Sequence, residues 1–245
     1  MAVQDFEVKT IFFYYLFPVI ALLLLLRVLK YLKPRLLACG CNAIGKRIHA
    51  KCATEKEQLF RHLDRDLPHH KLQILEIGAG SGLNFKFYPE GSEITSLDPN
   101  QHHKKYIETN RDKLNPKVHL KQFVCGFAED MSCFDNESFD VVVETFVLCS
   151  VRNTEKVLQE VKRVLKPGGK FFFMDHVAAE HSSSLRWFQN RLNPLWKAAA
   201  DDCHINREIA STINKIGFSS VEVNQFNLNT FIVLIKPSIY GTSVK

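Results

Sequence analysis

Glycines at positions 78, 80 and 82, in the stretch LEIGAGSGLNFKFYP (residues 75–89), follow directly on the apolar run 72–77. Glycine contributes no side-chain packing and costs chain entropy on folding. Three in alternation behind a strand-like run put bare backbone at a strand's carboxyl end, where open α/β sheets hold ligands. The spacing departs from the G-x-G-x-x-G of dinucleotide sites. Glu76 precedes the turn, and Asp98 ends the next apolar run, sixteen residues after Gly82. Taken singly, the turn reads as a tight bend and the acid as a helix cap. Taken in order, they describe a nucleoside site: an acid at the second strand end accepts two ribose hydroxyls. Glu76 repels a pyrophosphate and attracts an ammonium group.

The rest of the chain repeats this alternation. Apolar runs at 72–77, 93–97, 120–124, 139–144, 170–175, 221–225 and 231–236 read as strands. Stretches at 84–88, 101–114, 154–165 and 206–216 read as helices. Unbroken apolar strands separated by helices predict a doubly wound, mostly parallel seven-stranded sheet, the Rossmann-like α/β class. The short link between the last two strands predicts a C-terminal antiparallel hairpin. Thr54 and Glu57 form a capping-box pattern that opens a helix with Leu59, Phe60 and Leu63 on one side, closed by Pro68. Residues 178–204, with Trp187, Phe188 and Trp196, interrupt the fold after the fifth strand. They read as an acceptor-pocket lining, a membrane-resting surface or a packed helical insertion.

Ahead of this domain, residues 11–26 contain no charge. As a helix they span about 24 Å, slightly short of the roughly 30 Å hydrocarbon core. Residues 27–51 then carry seven Lys and Arg and no acid, against a net charge of +6 for all 245 residues. The main domain is therefore close to neutral, which disfavours a nucleic-acid-binding face. The segment 1–52 reads as an apolar membrane anchor with a basic juxtamembrane flank, and 53–245 as the catalytic domain. The basic flank places that domain in the cytosol. Acids at positions 5 and 7 argue against a cleaved signal peptide. Seven cysteines without a repeating spacing predict reduced thiols, with no metal site.

A ligand with a ribose, an amino group and no diphosphate fits the glycine turn, Glu76 and Asp98, and S-adenosylmethionine is such a molecule. NESFDVVVETFVLCSV and VLQEVKRVLKPGGKFFFMDHV resemble the fourth and fifth strands of class I methyltransferases. With NFKFYP, LDPN, EDM and the ending PSIYGTSVK, the chain resembles the methyltransferase-like seven family over about residues 53–245. These are membrane-associated enzymes of the endoplasmic reticulum and lipid droplets. The resemblance implies S-methylation of small apolar alkyl thiols by a monomeric enzyme. It places Glu76, Gly78, Ala79, Gly80 and Gly82 in the cofactor loop, Asp98 and Pro99 at the ribose, and Ala128 and Glu129 at the adenine. Phe127 stands where many relatives carry an acid, either stacked on adenine or packed inward. Candidates for the acceptor's base are Asp175 and His176, ending the fifth strand, and Cys149, after the fourth. A histidine titrates near neutral pH. Two other readings are methylation of a lipid or other apolar small molecule, and a lipid-droplet protein with little catalytic role.

Overall fold

Strands that are apolar on both faces need helices on both faces, and the burial of the central strands follows from this requirement. The structure is a computed structural model that describes residues 16–61, 63 and 71–245. Two helices come first: α1 (Phe17–Lys51) and α2 (Ala53–Phe60). The alternating domain follows: β1 (Gln73–Ile77), β2 (Glu93–Asp98), α3 (Lys104–Leu114), β3 (His119–Cys125), β4 (Phe139–Val143), α4 (Thr154–Val164), β5 (Leu165–His176), α5 (Ser184–Ala199), α6 (Ile209–Lys215), β6 (Ser220–Asn227) and β7 (Pro237–Val244). The seven strands form one sheet in the order β3-β2-β1-β4-β5-β7-β6. β1 to β5 are parallel, and β7 is antiparallel to both β5 and β6. Every residue of β4 is buried. The order reverses between β1 and β4, so a crevice for a ligand opens at their carboxyl ends.

The expected fold class is the one observed, with four local differences. The last strand is Pro237–Val244, whereas the apolar segment 231–236 holds only a 3-10 turn, Val233–Ile235. Pro237 is the first residue of this strand, where a missing N–H is tolerated. Ile239 and Ser243 face the core from β7. The capping box at Thr54 is not used. α1 runs to Lys51, Cys52 is the N-cap of α2 and makes no side-chain cap bond, and Lys56 N donates to Cys52 O. The chain arrives already helical, so Thr54 has no free helix end to cap. The helix at 84–88 is a single 3-10 turn, Phe85–Phe87. The helix read at 154–165 stops at Val164, and β5 begins at once at Leu165, ahead of its expected start at 170.

α5 fills the insertion after β5. Ser183 caps it by accepting from Arg186 N at 3.1 Å. Gln189, fully buried, donates to Leu234 O and accepts from Ala179 N, which pins the helix to the β6–β7 link and to the chain leaving β5.

Among the described residues, no helix is long and apolar enough to cross a membrane. Arg27, Lys30 and Lys33 interrupt α1 after its apolar start. The first part of the apolar run, residues 11–15, lies outside the described residues, as do the acids at 5 and 7 and the proline at 68.

Candidate active site

The three glycines are required for three different reasons. Gly78 is at φ +57°, and a Cβ there would meet Val147 Cγ2 at 2.4 Å, so the chain after β4 excludes a side chain. A Cβ on Gly82 would press on the Phe85 ring and the backbone of α3. Gly80, at φ +54°, has only Gly78 O and His103 Nδ1 near the edge of contact. Only Gly80 borders open space, so it is the residue that gives a ligand access to backbone. Ala79, between them, is buried in the core.

Asp98 ends β2 and is 4% exposed. Its carboxylate accepts from Gly80 N at 2.9 Å, Asn100 N at 2.8 Å and His103 Nδ1 at 3.0 Å. It therefore shapes the glycine loop as well as presenting a charge. Pro99 is exposed beside it. Gly126 N donates to Asp98 O, which brings residues 127–129 alongside. Ala128 is buried there. Glu129 braces the loop after β4 by accepting from Arg152 N at 2.6 Å. Phe127 is not packed inward: it is half exposed, with the Arg152 guanidinium 4.9 Å from its ring centroid.

Glu76 is buried, and its Oε1 accepts from Asn84 Nδ2 at 2.8 Å, while Oε2 has no hydrogen-bond partner among the described residues. The Tyr88 hydroxyl lies close enough to favour the charged form of Glu76 without reaching hydrogen-bond geometry. Burial raises the Glu76 pKa to about 7. Asn84 is oriented from its other side by Lys56, a fully buried lysine whose Nζ donates to Asn84 Oδ1 at 2.6 Å. Burial lowers the Lys56 pKa to about 7. His49 on α1 accepts from the same ammonium at 2.8 Å, kept neutral because burial and then Lys56 lower its pKa to about 2. A chain His49–Lys56–Asn84–Glu76 thus links the N-terminal helix to the site. Sequence reasoning missed Lys56. The signal was a lysine three and four residues before Leu59 and Phe60, inside the apolar stripe of α2.

The base candidates divide. Asp175 is fully buried, and both oxygens are engaged, one by Cys149 N at 3.0 Å and one by His176 N at 2.8 Å. Burial raises its pKa to about 6. Its role is to hold the loop after β4. Glu144, also missed, works beside it by accepting from Val147 N and Met174 N; burial, and then the Asp175 carboxylate, hold it well above the usual carboxylate range. Cys149 is 1% exposed and packs in the core. His176 does not titrate near neutral pH as expected: burial lowers its pKa to about 4, so the imidazole is neutral there. Its Nδ1 lies 3.3 Å from Ser238 Oγ, and its ring is 4.6 Å from that of Phe146. Phe146 sits just after β4 at φ +62°, a strained conformation for a bulky residue. Such strain collects at functional sites, and the sequence reading did not single out Phe146. A cleft of about 890 Å³ lies next to Ser238, between the chain leaving β5, the starts of α5 and α6 and the ends of β6 and β7, lined by Val177, Leu185, Phe226 and Ile239 and by the charged Arg186 and Glu208 among others. His176 touches both regions through Phe146 and Ser238.

S-adenosylmethionine fits these residues. Gly80 leaves room against backbone, the unpartnered Glu76 oxygen suits an ammonium group, and the Asp98 carboxylate suits a ribose. No group of three or more His, Cys, Asp or Glu among the described residues is placed to hold a metal ion.

Known proteins resemble this chain in sequence and in fold. A methyltransferase-domain family profile matches residues 75–173. Thiol S-methyltransferase TMT1A of Homo sapiens is 40% identical over 194 residues, 79% of each chain. Thiol S-methyltransferase TMT1B of Rattus norvegicus is 38% identical over 201 residues, 81% of this chain and 82% of its own. A solved SAM-dependent methyltransferase from Methanosarcina mazei superposes with a TM-score of 0.57 at 22% identity, over 73% of this chain and 94% of that one, and speaks to the fold alone.

Proposed function

The chain belongs to the thiol S-methyltransferase family and is an S-adenosylmethionine-dependent methyltransferase, and on that premise we propose that its acceptor is the sulfur of small apolar alkyl thiols, met at a membrane or lipid-droplet surface. The observation that carries this reading is the Phe146–His176 ring pair at the ends of β4 and β5. The pair itself offers an apolar face and one neutral nitrogen, while Glu180, Arg186 and Glu208 line the adjoining cleft.

When bound, S-adenosylmethionine supplies an electrophilic methyl group. Glu76 would face its amino group, Asp98 its ribose hydroxyls, and the Gly80 backbone would lie against it. The remaining work is alignment and proton removal. His176 accepts a hydrogen bond from the acceptor S–H. With a pKa near 4 it is a weak base, so it orients the thiol and passes its proton on to bulk water as the sulfur is methylated, rather than storing it. Phe146 excludes water from the same spot.

The membrane part of the proposal rests on exposed apolar surface. Residues 19–26 of α1 are exposed. On α5, Phe188, Leu192 and Leu195 form an exposed stripe at i, i+4, i+7 beside Trp187. Phe231, 87% exposed, lies near Lys51 at the end of α1. Such surfaces suit a monotopic, cytosol-facing seating in which the lysines and arginines of 27–35 meet the headgroups.

A series of alkyl thiols, with phenols and glutathione alongside and labelled cofactor, tests the acceptor class. Specificity constants should rise roughly three- to four-fold per methylene over the first members, from about 0.8 kcal/mol per buried group. A flat series, or glutathione as the best acceptor, excludes the apolar-thiol reading.

A further inference from the structure

Two cysteines far apart in sequence meet beside this site. Cys149 Sγ, on the loop after β4, lies 3.5 Å from Cys203 Sγ, which follows α5. They are 1% and 8% exposed. Their backbones are already joined, since His204 N donates to Cys149 O at 2.8 Å. Arg207 ties the same segments by donating to Leu148 O and Val151 O. A disulfide needs its sulfurs at about 2.05 Å, so side-chain rotation with a small loop adjustment closes the gap.

We propose that Cys149 and Cys203 form a reversible dithiol–disulfide site that responds to hydroperoxides and slows methyl transfer when oxidised. The two thiols have different surroundings. The hydrogen bond between the two thiols, with the Arg207 guanidinium nearby, holds Cys203 below the ordinary thiol range. Pairing with Cys203, burial and the Asp175 carboxylate push Cys149 well above it. Cys203 is therefore the attacking thiolate and Cys149 the resolving thiol, a pairing common to redox-sensing sites. Cys203 Sγ attacks one oxygen of the hydroperoxide, the O–O bond breaks, and the other oxygen leaves as water or alcohol. The Cys149 sulfur then attacks the sulfenic sulfur, forming the S–S bond and releasing water. Two electrons pass from the thiols to the peroxide, and both thiol protons leave with the oxygens.

The consequence for catalysis follows from position. Cys149 stands three residues after Phe146 and two after Val147, the residue packed on Gly78. Its N–H is also the one held by Asp175. Drawing Cys149 toward Cys203 moves the loop that shapes both the cofactor and acceptor sides. A displacement near 1 Å at such a site costs up to about a hundredfold in rate, so a loss of about tenfold or more is expected.

The cross-link does not depend on the acceptor class, whereas the rate readout rests on the thiol reading above. The full chain in detergent is titrated with hydrogen peroxide, then denatured, alkylated and mapped by mass. The expected result is a linked peptide pair containing Cys149 and Cys203, lighter by two hydrogens than the dithiol. Methyl transfer to an alkyl thiol should fall in proportion to the link and return with a phosphine, which is not itself an acceptor thiol. Cys203→Ser should form no link and keep its own rate through the same titration. If Cys149 and Cys203 stay alkylatable at doses that oxidise the exposed Cys39, Cys125 and Cys133, the site is refuted. A complete link with an unchanged rate refutes the switch. A reduced enzyme inactive on every thiol, yet forming the link, overturns the acceptor reading and leaves the redox site standing.

Discussion

Replacing Asp98 with alanine probes the cofactor site where its shape and charge coincide. A charge-assisted contact to a ribose is worth about 1.5–3 kcal/mol. Each 1.4 kcal/mol is tenfold in affinity, so the direct loss is roughly ten- to a hundred-fold in Kd. The same carboxylate is also the acceptor for Gly80 N and Asn100 N. Alanine leaves both amides without this acceptor at a part-buried position, which costs less than the roughly 1–3 kcal/mol each of a fully buried group because water reaches them. Gly80 is held at φ +54° by one of those bonds, so its loop loosens and the affinity loss moves toward the upper end of the range. A fall in Tm should accompany it, at about 2–4 °C per kcal/mol for a domain of this size. Asp98→Asn keeps the volume and one acceptor oxygen but loses the charge, so it should fall between wild type and alanine on both measures. Calorimetric titration with S-adenosylmethionine and thermal melts read the two effects separately. An Asp98→Ala protein that melts cooperatively and binds within about threefold of wild type would refute the assignment of Asp98 to the ribose.

Other perturbations address the neighbouring groups. Lys56 has a pKa lowered from 10.5 to about 7, so the unfolded chain binds the extra proton between those values and the lysine makes stability rise with pH in that window. Glu76, raised from 4.5 to about 7, makes the folded chain the better proton binder there, so its contribution falls as pH rises from 4.5 to 7. The pair thus places a stability minimum near pH 7, and Lys56→Met should abolish the rise above it in urea titrations at pH 7 and 9; a persisting rise locates the titrating group elsewhere. His176→Gln retains a polar group, and His176→Ala does not. The first should keep most of kcat/KM for alkyl thiols and the second should lose about tenfold or more, and equal losses would assign His176 a proton-storing role. Deleting residues 1–32 should leave cofactor affinity within about threefold and reduce membrane retention, whereas deleting 1–52 should weaken affinity much more. Equal affinity in the two truncations would show that α1 makes no energetic contact with the site.

The sheet was legible because its signal is local. Unbroken apolar runs, glycines at 78, 80 and 82 and an acid at 98 lie within thirty residues of one another and need no partner to be read. The last strand was misplaced because pairing with β5, distant in sequence, and with β6, across a short link, outweighs the weaker propensity of a segment containing Pro237 and Gly241. The buried polar network was invisible for the same reason. Lys56 is an ionisable residue in a helix rich in Glu, and only the amide of Asn84, 28 residues away, and the ring of His49 on the preceding helix give it partners inside. Glu144 and Phe146 stood in an apolar strand ending whose backbone conformation no pattern of residue types reports. Asp175 and His176 were found by their place at a strand end. Their roles follow from burial, which engages one carboxylate fully and keeps the imidazole neutral.

The N-terminal helix belongs to the site as well as to the leader. Pro34 O accepts from Asn100 Nδ2 at 2.8 Å, on the loop that follows Asp98. Asn42 meets Asn110 at 3.3 Å, and Asn110 holds Ser81 O in the glycine loop. His49 meets Lys56, which orients Asn84 and Glu76. Over about 22 Å of helix, α1 therefore contacts the loop after Asp98 directly and is linked to the glycine loop through Asn110 and to Glu76 through Lys56 and Asn84. The first of these contacts, at Pro34, lies within the basic stretch 27–35. On the seating proposed above, headgroup level and the Asp98 loop coincide, so the site stands at the lipid–water boundary. A polar cofactor then reaches Gly80 and Asp98 from the aqueous side, while an apolar thiol dissolved in the lipid reaches Phe146 from the other. The two substrates need not share an entrance, and the helix that fixes the height of the domain also holds the residues that receive the cofactor.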